Sequence, residues 1–242
     1  MPAMSSACGG PWVYSSACRE QSVLTDPMMC AVCRKWAALD AVVVGSGGAR
    51  SLISGGIFLY EAQAVTMLRL VRHMAEAAGA ATVCETGFNA GHSALLFLTI
   101  PNVSVVSFDT LGRSYQQRAL RHLQHTLGLR SRLVVVGGDT LLTVPRFASA
   151  HPRVRCDFVH TSVPRREHDD LLALHRVARK GAVVMPTAHT HTGAVYGQGG
   201  AWDAAVRDGL VLDPECGAAM RPRAVGTFVF TRGGGGGGGG DG

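Results

Sequence analysis

Residues 81–98 read ATVCETGFNAGHSALLFL. The first five form a short apolar run of the kind buried in a parallel sheet, and the run ends on an acid, Glu85. Two glycines follow, Gly87 and Gly91, and the chain from Gly91 to Leu98 is an apolar helix. Strand, glycine loop and helix in that order is the layout of a nucleotide-holding turn. The glycines are spaced G-x-x-x-G, however, and Asn89 stands where a dinucleotide loop of the G-x-G-x-x-G type has its middle glycine. A carboxylate at the strand end would also repel a pyrophosphate placed there.

Outward from this turn the chain alternates. Residues 58–78 place Leu59, Ala62, Val65, Leu68 and Val71 at helical spacing ahead of the strand. Further strands are expected at 103–109, 132–139, 156–160, 181–186, 209–213 and 225–230, with helices at 114–128, 168–178 and in AWDAAVRDG. Gly128 stops the first of these helices, and the acids at 169 and 170 suit the N-terminus of the second. Strands separated by helices give an α/β fold, a mostly parallel seven-stranded sheet with helices on both faces. Only about ten residues join the last two strands, too few for a parallel crossover, so the last strand is expected to be antiparallel. Ligands of such sheets bind at the carboxyl ends of the strands. Glu85, Asp109 and Asp139 end the first three strands and converge there.

The flanks carry less. Residues 1–50 read as an irregular N-terminal arm with one helix around Cys30–Ala41, and residues 51–232 as the folded domain. Residues 233–242 form a glycine tail with no side chains to bury, expected to be disordered. Of the 242 residues 47% are apolar, enough for a sizeable core, yet no apolar run approaches the roughly 20 residues that span a bilayer. No membrane is expected as a partner. The seven cysteines and the lack of a secretory leader point to reduced thiols and a cytoplasmic location. An organelle-targeting role for the acid-poor arm stays open beside that reading. Cys30 and Cys33 form one C-x-x-C without the histidines that would complete a zinc site. The formal charge is +6, almost all from arginine, and no aromatics interleave with the arginines, so nucleic acid is not expected as a partner.

The three acids and the loop suit a cationic ligand that carries no phosphate. S-adenosylmethionine is one, with a sulfonium, an amino-acid ammonium, a ribose and an adenine. Glu85 would act near the ammonium, Gly87 and Gly91 would let backbone lie against the ligand, Asp109 would accept from the ribose hydroxyls, and Asp139 would receive the adenine amino group.

The chain from about Ser54 to Phe230 resembles the class I S-adenosylmethionine-dependent methyltransferases of the small-molecule, catechol O-methyltransferase-like kind. The resemblance rests on GGIFLYEAQ, VCETGFNAGHSALLFL, VSFD, VVVGGDTLLTVPRF and CDFVH followed by DDLLAL and KGAVV, in that order and spacing. It implies a Rossmann-like sheet with an antiparallel last strand. It also implies S-adenosylmethionine contacts at Glu85, Gly87, Asn89, Gly91, Ser93, Asp109 and Asp139.

The catalytic half departs from the family. Its metal-dependent members carry acids at the ends of strands four and five, which hold a divalent ion. Here His160, Thr161 and Ser162 occupy the first place, and Pro186 and Thr187 the second. A divalent metal is therefore not expected. His160 and His189 are the candidate general bases, since an ordinary histidine titrates near pH 6.5. HTH at 189–191 could also join His160 around a transition metal. The reading is S-adenosylmethionine-dependent methyl transfer to a small-molecule acceptor, at an oxygen. Beside it stand a degenerate relative that binds cofactor without turnover and an NAD-binding oxidoreductase. The oligomeric state is left open.

Overall fold

In the computed structural model, which describes residues 27–45, 61–162, 166–186, 189–191, 194–196, 203–212 and 226–228, the opening run becomes strand β1, Ala81–Thr86. Four more strands pair parallel around it: β2 (Val103–Asp109), β3 (Leu133–Gly137), β4 (Cys156–Thr161) and β5 (Ala178–Pro186). The short strands β8 (Val211–Leu212) and β9 (Gly226–Phe228) extend the β5 edge, with β9 antiparallel to both β5 and β8. The sheet order is β3-β2-β1-β4-β5-β9-β8. Chain order reverses between β1 and β4, and sheets of this kind bind ligands at the carboxyl ends of the strands at such a reversal. A separate hairpin joins β6 (His189–His191) to β7 (Ala194–Tyr196).

Helices cover both faces. They are α1 (Pro27–Gly45), α2 (Glu61–Ala78), α3 (His92–Leu98), α4 (Ser114–Arg121), α5 (Thr140–Ala150), α6 (Glu167–Leu174) and α7 (Asp203–Arg207) among the described residues. Alternation along each strand sends neighbouring residues to opposite faces. Val83, Val105, Phe158 and Met185 pack in one core with α1 to α4. Cys84, Val106, Phe108, Val159 and Val184 pack in the other with Val144 and Phe147 of α5 and Leu171 and Leu174 of α6.

Several expectations change here. The arm is not irregular over its second half. Met29, Cys33, Trp36, Leu39 and Val43 recur at helical spacing and are buried, so α1 is a core helix longer than the one expected. Helix α5 was not anticipated, because Pro145 lies inside it and removes one backbone donor. Asp139 compensates at its start by accepting from the Leu141 N–H. The helix after β2 ends at Arg121 and continues as a single π turn, His122–Thr126. The reduced thiols are a further correction. Cys84 and Cys156 face the same core from adjacent strands, with Cα atoms 5.7 Å apart, and form a disulfide. Cys30 and Cys33 are disulfide-bonded as well. No described helix is long and apolar enough to cross a membrane. The glycine tail, the first part of the arm, GGIFLYEAQ up to Tyr60, and Thr187 lie outside the described residues.

One side chain ties the turn after α3 to the sheet. Arg132, just ahead of β3, donates from Nη1 to the carbonyls of Ile100 and Val103 and from Nη2 to that of Leu98, each at 3.0 Å. A guanidinium holds five donors in a fixed fork, which suits three converging acceptors. Replacing Arg132 with Ala should lower unfolding stability by about 2–3 kcal/mol in urea titrations, because charged hydrogen bonds are lost and part-buried carbonyls are stranded. Lysine, with one ammonium, should restore only part of that loss.

Candidate functional site

A buried row of side chains crosses the sheet near the carboxyl ends of β1 and β4. Glu85 on β1 is in register with Ser107 on β2 and with His160 on β4, and His160 is in register with Met185 on β5. Alternation puts these residues on the α3 face, where the ring of His160 meets that of Phe97. Glu85 is 0% exposed. Among the described residues neither of its carboxyl oxygens has an aligned hydrogen-bond partner, and neither does the Ser107 hydroxyl. Burial pushes the Glu85 carboxyl up from 4.5 to about 7, the nearby Ser93 and Ser107 hydroxyls oppose the rise, and the Asp109 charge adds to it. Since no aligned hydrogen bond reaches either oxygen, the two hydroxyls act as neighbouring dipoles rather than as partners.

The loop above this row turns on left-handed residues. Gly87 has φ 88°, Asn89 φ 48° and Gly91 φ 82°. At Gly91 an added Cβ would lie 2.8 Å from Cζ of Phe88, so glycine is demanded twice, by the backbone angle and by the ring. The Gly87 N–H donates to the Phe108 carbonyl at 2.8 Å, and the Gly91 N–H to the Phe88 carbonyl at 2.7 Å. Asn89 links the loop to the next strand. Its N–H donates to Asp109 Oδ2 at 2.8 Å, and its side-chain oxygen accepts from the Tyr115 hydroxyl at 2.5 Å. Asp109 Oδ1 takes the Leu111 N–H at 2.9 Å. Oδ1 also accepts from the Thr110 hydroxyl at 3.4 Å. The Asp109 carboxylate is thus held in one orientation at the end of β2, with a further lone pair on Oδ2.

The other expected positions fall as follows. Ser93 lies in the first turn of α3, buried next to Glu85. Asp139 ends the third strand region but serves as the N-cap of α5. Its Oδ1 also meets Arg166 Nη2 at 2.8 Å, and these two bonds hold its carboxyl below the usual range, the Arg166 bond most. His160 is 1% exposed, and its Nδ1 donates to the Met185 carbonyl at 2.8 Å. That bond makes Nε2 the lone-pair nitrogen of the neutral ring. Any acceptor that His160 serves must lie at the carboxyl ends of β1 and β4. His189 begins β6, and its side chain lies outside the described residues. Ser162 stands at the end of β4, where the resembled family has an acid. Its hydroxyl donates to the Thr86 carbonyl at 2.6 Å. Among the described residues no three His, Cys, Asp or Glu side chains are grouped to hold a metal.

Sequence reasoning missed two buried clusters beside this site. Asp170 was expected to stand near the start of a helix. It does sit in the first turn of α6, but it points inward and accepts from the Thr140 hydroxyl at 2.6 Å. His92, the first residue of α3, meets Asp40 of α1 at 2.8 Å, and its carbonyl accepts from Trp36 Nε1 at 2.9 Å. A lone acid four residues after a tryptophan in the apolar run WAALDAVVV was the available signal.

No family model matches the chain, and no curated protein does. Among solved structures, the O-methyltransferase from Bacillus cereus in complex with SAH is 15% identical, with a TM-score of 0.53 over 73% of this chain and 81% of that one. A methyltransferase from Geobacter sulfurreducens is 16% identical, with a TM-score of 0.50 over 84% and 90%. A cofactor-bound structure from MTB is 23% identical with a TM-score of 0.46, and the chain spans 65% of its length, under two thirds. At these identities the likeness is one of fold, a Rossmann-like α/β sheet.

The Glu85 shift sets a pH dependence of stability. Between pH 4.5 and about 7 the folded protein keeps a proton on Glu85 that the unfolded chain has released. Stability without ligand should therefore fall as pH rises through that window, by about 3 kcal/mol from this group, and level off above it. Glu85→Gln should remove that fall. Urea midpoints of both proteins at pH 5 and pH 8 give the difference directly, and equal slopes would show that Glu85 titrates normally.

Proposed function

We propose that the chain binds S-adenosylmethionine at the carboxyl ends of β1, β2 and β3 and transfers its methyl group to a small-molecule acceptor, at an oxygen. The observation that supports this most is the buried carboxyl group of Glu85, without an aligned hydrogen bond among the described residues, beneath a left-handed glycine loop. A buried charge without a partner calls for a cation, and the amino-acid end of this cofactor carries one. The residues present fit the rest of the group. Asp109 is oriented at the end of β2 with a lone pair of Oδ2 left for a ribose hydroxyl, and Asp139 stands at the next strand end for the adenine amino group. Gly87, Asn89, Gly91 and Ser93 shape and line the loop between them. That the structural neighbours are methyltransferases, one of them in complex with SAH, agrees with this reading.

When bound, the cofactor supplies an electrophilic methyl group. The chain holds the acceptor in line with it and takes the proton of the acceptor hydroxyl. In this reading a histidine takes that proton, His160 through Nε2 or His189 from the segment after β5. Ser162, bonded to the Thr86 carbonyl, replaces an acid at the end of β4, so the proposal routes no step through a metal.

Calorimetry with S-adenosylmethionine, S-adenosylhomocysteine and NAD tests the cofactor. The first two should bind and NAD should not, and Glu85→Ala and Asp109→Ala should each weaken binding about tenfold or more, as expected when a charged hydrogen bond is lost. Binding of NAD alone would overturn the proposal in favour of an oxidoreductase. Cofactor binding without methyl transfer across phenol, catechol and carboxylate acceptors, with and without Mg²⁺, would identify a degenerate relative. Where transfer is seen, it should be lost in His160→Gln or His189→Gln.

A further inference from the structure

Helix α1 stands outside the strand–helix alternation, yet it grips the residue at which the glycine loop becomes a helix. Trp36 and Asp40, one turn apart on α1, both reach His92. The Trp36 indole Nε1–H donates to the His92 carbonyl at 2.9 Å, and Asp40 Oδ1 lies 2.8 Å from His92 Nε2. The indole also meets the imidazole edge-on, with ring centres 5.9 Å apart. All three side chains are buried. The main chain and the side chain of one residue are thus fixed from the same neighbouring helix.

The position of that residue gives the grip its meaning. On its strand side the loop is anchored by Gly87 on the Phe108 carbonyl, by Asn89 on Asp109 and Tyr115, and by the Ser162 hydroxyl on the Thr86 carbonyl. On its helix side Gly91 is left-handed and has no side chain to hold it. His92 comes next, and Ser93 beside Glu85 follows it. A buried aspartate in a helix face otherwise made of Met29, Cys33, Trp36 and Val43 is unfavourable for packing alone. It is accounted for by a partner whose placement matters.

We infer that Trp36 and Asp40 are positioning residues for the cofactor loop: through His92 they hold the helix side of the loop in its binding-competent form. The inference rests on the cofactor-binding reading above. Neither residue touches the cofactor in it. They act on affinity by setting the fraction of the protein whose loop is ready to bind, since apparent affinity scales with that fraction.

Three full-length variants test this, with S-adenosylhomocysteine as the probe in calorimetry and hydrogen–deuterium exchange of the ligand-free protein as the second readout. Trp36→Phe removes one donor and keeps the ring. Asp40→Ala removes the acceptor. Asp40→Asn keeps an oxygen that accepts from a neutral imidazole. Trp36→Phe and Asp40→Ala should weaken binding about fivefold or more, Asp40→Asn by no more than about twofold. Exchange should quicken at residues 87–98 and stay unchanged in β2 and β4. If Asp40→Ala fails to fold, Trp36→Phe carries the test. Wild-type affinity in both variants with unchanged loop exchange overturns the assignment while leaving the cofactor reading intact. Faster exchange spread over the whole sheet, with Asp40→Asn as weak as Asp40→Ala, shows a merely structural pair and overturns it too. A wild-type protein that binds no S-adenosylhomocysteine overturns the cofactor reading, and this assignment falls with it.

Discussion

A carboxyl group sealed in the protein core, with no aligned hydrogen bond among the described residues, is the constraint around which the rest of this molecule is arranged. Glu85 sits at the carboxyl end of the central strand, between Ser107 and His160 in one row. Its position follows from the alternation of β1: Val83 and Glu85 face one core, Cys84 and Thr86 the other. Shifting the register by one residue would turn Glu85 toward the face of α5 and α6 and away from the loop. The strong pairing of β1 with β2 and β4 is therefore also what aims the charge.

The loop follows from the same constraint. A chain that leaves β1 and enters α3 over a buried acid has to turn tightly, and it does so on Gly87, Asn89 and Gly91 in left-handed conformations. Gly91 packs against the ring of Phe88, and Asn89 borrows the carboxylate of Asp109. The second acid therefore has two tasks. It stabilises the loop from the next strand, and in the proposed function it offers its remaining lone pair to a ribose. The neutral, protonated form of Glu85 is the resting state that such a site adopts below pH 7 when no cation is present.

Much of this was legible in the sequence where one period dominates. The strands expected at 81–85 and 103–109 read as apolar runs ending on acids, and the structure pairs them side by side in parallel. The G-x-x-x-G spacing located the loop. Legibility ended where tertiary contacts override local signals. Pro145 concealed α5, and the Ala- and Cys-rich composition of the arm concealed that α1 is a core helix. Asp40 and His92 lie 52 residues apart, and nothing in either neighbourhood names the other. Asp139 was legible as an acid at a strand end but not as a helix cap paired with Arg166, because that arginine comes from the segment after β4. The thiols were misread because the pairing of Cys84 with Cys156 depends on which strands are neighbours, and composition does not carry that information.

The central claim is that Glu85 exchanges its proton for the cofactor's cation. Calorimetry of S-adenosylhomocysteine binding at pH 6, repeated in buffers of different ionisation enthalpy, counts the protons released on binding. With the Glu85 carboxyl near 7, the account predicts release of most of one proton per site at pH 6 and little at pH 8. Glu85→Gln should release none, and a thioadenosine lacking the amino-acid group should release none from the wild type. Tight binding with no proton release at either pH would contradict the account.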